Sequence, residues 1–109
     1  MAATEILVLS TVATKADAEN LGRMLVEKKA VACVNIVPDI GSIFLWKSNV
    51  LEEKEVLLIM KSTLDRYSDI ESLIKTHHSY DVPEIIAVPI MKGAHEYLSW
   101  IREVTEKTT

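Results

Sequence analysis

Apolar positions along this chain fall into two rhythms, short continuous runs and helical spacing. Residues 6–12, Ile-Leu-Val-Leu-Ser-Thr-Val, are apolar without alternation, which predicts a strand covered on both faces and central in its sheet. Thr14 predicts a helix N-cap, with Asp17 three residues on as a weaker capping box. Ala18, Leu21, Gly22 and Leu25 follow at helical spacing, and Lys28-Lys29 place positive charge at the helix end. Residues 31–37 predict a second strand, with Val31, Cys33, Asn35 and Val37 on one face and Pro38 as its stop. Asp39-Ile40-Gly41 reads as a bend or bulge, and extended character resumes over 42–46.

Ser48-Asn49 predicts a tight turn, because Asn tolerates positive φ. The chain returns from Val50 to Lys61, with a polar outer part (51–55) and a buried inner part (56–60). The resulting hairpin is long for so small a chain, so its outer end is expected to project and seek a partner. Thr63 predicts a second N-cap, and Tyr67, Ile70, Leu73, Ile74 and His77 share one side of the helix behind it. Residues 85–90 predict another strand and Met91-Lys92-Gly93 a turn. Ala94, Tyr97, Leu98, Ile101 and Val104 predict a last helix, and 106–109 a frayed tail. The order β-α-β, β-α-β, α predicts an α+β chain of ferredoxin-like arrangement, with helices on one face of a four-stranded antiparallel sheet. Residues 1–109 read as a single domain.

Composition narrows the function. The net charge is −4 with no basic run, which argues against a nucleic-acid partner, since neutralising phosphates needs clustered Lys or Arg. The single cysteine, Cys33, excludes an internal disulfide and fits a reducing compartment. No basic n-region precedes the first apolar run, and no stretch reaches the ~20 apolar residues of a membrane span. The expectation is a cytoplasmic protein without a membrane partner.

Chemistry-bearing side chains concentrate in His78-Ser79-Tyr80-Asp81-Val82-Pro83-Glu84-Ile85, where a helix hands over to a strand. Pro83 holds its own φ near −65° and pushes Val82 out of the helical region, so this segment is stiff. His78 and Tyr80 read either as a helix C-cap and a cover for the core edge, or as binding groups.

The pattern Ala32-Cys33-Val34-Asn35-Ile36-Val37-Pro38, Ser42, Trp46-Lys47, Glu53, Glu55, Lys61, His78-x-Tyr80-x-Val82-Pro83-Glu84-Ile85 and Tyr97-Leu98-x-Trp100 resembles the CutA family of divalent-cation-tolerance proteins along essentially the whole chain. The resemblance implies a ferredoxin-like homotrimer joined through long hairpins and sheet edges. It also implies binding of divalent metal ions, copper above all, and no catalytic reaction. Likeness of that family to PII signalling trimers implies an alternative: a sensor or scaffold whose inter-subunit cleft holds a small ligand or a partner protein, with metal incidental. The family usually has Gly after Trp-Lys; here Ser48 stands there, so Asn49 is expected to carry the positive φ.

The donor set bears on both readings. There is no Cys-x-x-Cys, and adjacent His77-His78 point about 100° apart on a helix, so one protomer offers no closed zinc-type site. A trimer multiplies each ligand by the number of chains. Cu(II) accepts imidazole and carboxylate oxygen, which makes His78, Glu84 and Cys33 the metal candidates. His77, on the apolar side of its helix, is expected to be packed. Cys33 is expected to be a small core hydrophobe with no cation beside it. Trp46 reads as an interface anchor. Lys61 reads as a snorkelling side chain or, with Tyr80, His78 and Trp46, as part of an inter-subunit cleft for an anion or small molecule.

Overall fold

The computed structural model describes residues 4–107; the expected N-terminal features at 1–3 and the end of the expected frayed tail lie outside them. The elements are β1 (Glu5–Val12), α1 (Lys15–Glu27), β2 (Cys33–Trp46), β3 (Asn49–Thr63), α2 (Tyr67–His77), β4 (Ile86–Pro89) and α3 (His95–Val104). The strands form one sheet in the order β2-β3-β1-β4, antiparallel throughout. This is the ferredoxin-like order, and β1 is central as its unbroken apolar run predicts.

Strand parity sorts the sheet into two faces. Ile6, Val8, Val12, Val56, Leu58 and Met60 turn toward α1 and α2 and form the core with Ala18, Leu21, Leu25, Ile70 and Ile74. Gly22 sits where α1 presses on β2: an added Cβ would lie 3.3 Å from a Val34 methyl. The opposite, open face carries Leu7, Leu9, Leu57 and Ile59, only half-buried. The last helix α3 meets this open side, where Arg102 Nη1 donates to Glu5 Oε2 at 3.0 Å and Ile101 is buried.

Several local expectations are corrected. Pro38 does not stop β2, because it lies on an edge strand inside a bulge, where no ladder hydrogen bond needs its nitrogen. The turn is carried by Lys47 (φ 49°) and Ser48 (φ 68°), not Asn49, which pairs with Trp46 as the first residue of β3. Positive φ at both central residues is the mark of a type I′ hairpin turn. Thr63 precedes a short 3-10 turn (Leu64–Arg66) without a side-chain cap bond, and α2 begins only at Tyr67. Thr14 does cap α1, its Oγ1 accepting from the Asp17 amide at 3.1 Å. Lys28-Lys29 end α1 through backbone geometry: Lys29 has φ 60°, its amide reaches Val26 O at 2.9 Å, and the Ala30 amide reaches Leu25 O at 3.0 Å. That bond pair is a Schellman motif. The last strand is shorter than expected, four residues paired with β1 alone.

The hairpin projects as expected. The molecule measures 43 × 25 × 22 Å, and Ile43 (71%), Leu45 (70%) and Val50 (73%) stand exposed near its tip.

Candidate functional site

Between Val37 and Ile40 the pairing with β3 slips by one residue, and Asp39 takes φ 58°. Two residues of β2 then face one of β3, which is a β-bulge. The extra residue inverts the side-chain alternation beyond it. Ser42, Phe44 and Trp46 therefore share a face with Glu53, Glu55 and Leu51, the same open face that carries Thr11.

Above that face runs the segment after α2. His78 leaves the helix with extended backbone (φ −90°, ψ 145°). Its Nε2 lies 2.7 Å from the Thr11 carbonyl, and its Nδ1 lies 3.0 Å from the Tyr80 amide. An amide N–H can only donate and a carbonyl can only accept. Nδ1 is thus the acceptor and Nε2 carries the proton. The Tyr80 ring leans on the imidazole, centroids 4.6 Å apart. Its hydroxyl donates to Glu55 Oε2 at 2.9 Å, and Glu55 is itself buried. Burial, then the Glu55 hydrogen bond, then the charges of Glu55, Glu53 and Asp17 push the Tyr80 phenol up to about 12.

Together these elements frame an open groove of about 710 Å³. One wall is the hairpin, with Phe44, Trp46, Glu53 and Glu55; the other is the loop, with Tyr80, Asp81 and Glu84. No Lys, Arg or His is among the residues lining it.

Of the residues singled out from the sequence, the fold brings together Trp46, Tyr80 and Glu84, with His78 directly behind Tyr80. Two others stand elsewhere. Lys61 pairs with Leu7 and Cys33, six residues along β3 from Glu55, about 20 Å at strand rise. Its Nζ hydrogen-bonds Asn35 Oδ1 and lies 4.0 Å from Cys33 Sγ. Cys33 is half-buried, not packed in the core, and it does have a cation beside it. That neighbour comes across the β2–β3 ladder, which spacing along the chain could not reveal. Cys33 sits level with Lys61 and Leu7, two strands across the sheet from β1, and Leu7 is four residues, about 13 Å of strand rise, from Thr11, whose carbonyl His78 touches. Within one protomer Cys33 and His78 therefore do not converge, and no cluster of three His, Cys, Asp or Glu with metal-site geometry occurs among the described residues. His77 is exposed, not packed, with Nδ1 2.9 Å from Leu73 O. The sequence marks 51–55 only as the polar outer part of the hairpin and gives no sign of Glu55 as the partner of Tyr80.

Fold and groove define a class: a ferredoxin-like α+β domain with an extended hairpin and an acidic, aromatic groove on its open face. Similar proteins narrow the class. The family model described as CutA1 divalent ion tolerance protein matches residues 6–104. The divalent-cation tolerance protein CutA of Thermus thermophilus is 44% identical over 101 residues, spanning 93% of this chain and 98% of that protein. Human protein CutA is 38% identical over 92 residues, 84% of this chain; the match spans only about half (51%) of the human protein. The crystal structure of CutA1 from Oryza sativa superposes with a TM-score of 0.93 at 36% identity, covering 98% of each chain. The chain belongs to the CutA family of divalent-cation-tolerance proteins.

Proposed function

We propose that this protein is a cytoplasmic homotrimer that binds divalent cations as cargo, Cu(II) most tightly, and that it acts by binding, not catalysis. The observation that carries the reading is the groove: Glu53, Glu55, Asp81 and Glu84 line it without a countering cation. Carboxylate oxygens are acceptable Cu(II) ligands, and copper heads the divalent affinity series. Glu84 and Asp81, on the loop, are the outer ligands. His78 coordinates only by giving up one of its two main-chain bonds, and Cys33 joins only from a neighbouring protomer. The half-buried open face and the exposed hairpin tip supply the apolar surface for trimer formation.

A second reading has its own support. Phe44, Trp46 and Tyr80 give the groove an aromatic lining that suits a partner's loop or a small ligand, as in a PII-like sensor. Calorimetric titration with Cu(II), Zn(II) and Mg(II) separates the two. Under the cation reading, Asp81→Asn with Glu84→Gln lowers Cu(II) affinity at least tenfold in a protein that still sediments as a trimer. Unchanged affinity in that double variant leaves the sensor reading standing.

A further inference from the structure

His78 has the donor type that a metal reading favours, yet both of its ring nitrogens are spoken for by backbone. The Tyr80 amide occupies the Nδ1 lone pair, and the Nε2 proton is given to the Thr11 carbonyl. A neutral imidazole has one lone pair in its plane, and here that lone pair is already an acceptor. We infer that His78 is a positioning residue: its fixed Nε2–H form ties the loop after α2 to the end of β1 and seats Tyr80 against Glu55, so it shapes the groove wall and is not a ligand in the groove.

The chain of contacts is continuous across three segments. Thr11 is the last but one residue of β1, His78 and Tyr80 belong to the loop, and Glu55 lies on β3 where the hairpin leaves the sheet. The ring also supports Tyr80 by stacking, with planes tilted by 52°. Tyr80 thus has its amide, its ring and its hydroxyl all fixed, two of them by the same imidazole. The carboxylates of Asp81 and Glu84 follow within the same Pro-stiffened loop, so fixing Tyr80 fixes where they stand. The inference holds whether cations or a partner segment occupy the groove.

The test reads the imidazole itself. Long-range ¹H–¹⁵N correlation on the labelled, assembled protein shows His78 as the Nε2-protonated form, and Zn(II), a diamagnetic probe, leaves both of its nitrogens unmoved. An Nδ1-protonated ring, or a zinc-induced shift at His78, overturns the inference. Movement of the Asp81 and Glu84 signals is read separately; its absence counts against the cation reading and not against the role of His78. Positioning is read at Tyr80. His78→Ala speeds exchange of the Tyr80 amide by about fivefold to tenfold, the loss of one hydrogen bond, and shifts the Tyr80 ring signals. His78→Asn restores both, because an Asn side-chain oxygen accepts the amide two residues on. A folded His78→Asn protein that leaves Tyr80 displaced, or a His78→Ala protein with Tyr80 unchanged, overturns it. Should His78→Ala fail to fold, the wild-type spectrum and the Asn variant decide.

Discussion

Tyr80 is a phenol set among carboxylates, and that sets its behaviour in alkali. An unfolded tyrosine titrates near 10; in the folded chain burial and Glu55 hold Tyr80 at about 12. Between those values the unfolded chain has released the proton and the folded chain keeps it. Stability from this group is therefore complete below pH 10 and falls as pH rises toward 12. Thermal melts across that range, with phenolate absorbance followed in parallel, are expected to show a late tyrosine step that disappears in Tyr80→Phe together with part of the alkaline loss. Little of this was legible beforehand. Val82-Pro83 marked the loop as stiff, and its residues as chemically loaded. The partners of that chemistry lie far off in sequence: His78 meets Thr11 67 residues away, Tyr80 meets Glu55 25 residues away, and Lys61 meets Cys33 28 residues away. No local pattern encodes such contacts.

At the scale of elements, hydrophobic rhythm is a reliable guide where one face is buried. The core positions of α1 and the central place of β1 follow from it, because burial on one or both faces is what the rhythm records. It fails at backbone exceptions. Lys29, Asp39, Lys47 and Ser48 all hold positive φ without being glycine; a bulge at Asp39-Ile40-Gly41 and a turn at Ser48-Asn49 were legible, but not which residues carry the left-handed backbone. A left-handed non-glycine residue costs roughly 1–2 kcal/mol. Ser48→Gly should therefore raise stability by up to about 1 kcal/mol, less than the full strain because glycine also frees the unfolded chain. Chemical denaturation checks this; a neutral or lower midpoint would mean that Ser48 carries little strain.

The whole molecule presents more apolar surface than one copy can use. Phe44 and Trp46 keep about two-fifths of their area exposed (39% and 40%), beside the barer Ile43, Leu45 and Val50. The proposed trimer covers this surface. Trp46→Ala then removes about 3–5 kcal/mol of assembled stability, the range for emptying a large aromatic site. Its melting temperature should depend on protein concentration more steeply than that of the parent. Sedimentation equilibrium in the micromolar range is the companion measurement. A parent that sediments as a monomer removes both the trimer and the role of Trp46 in it.

The bulge at Asp39 has a consequence for how this fold can vary. A β-strand is a two-state code in which each residue reads as one face or the other, and a single inserted residue flips the sign of everything after it. Here the inner half of β2 and its outer half are written in opposite phase, so the stem packs against its helices while the arm turns Phe44 and Trp46 toward the loop. Removing Asp39 would make the ladder regular: Pro38 would stand alone opposite Val56, Ile40 would stay opposite Glu55, and Phe44 would stay opposite Leu51, so the arm would keep its aromatics toward the loop and lose only the local kink and twist. A one-residue change of length absorbed at this point is thus silent for the surface beyond it, whereas the same change inside the regular arm would force its faces to swap.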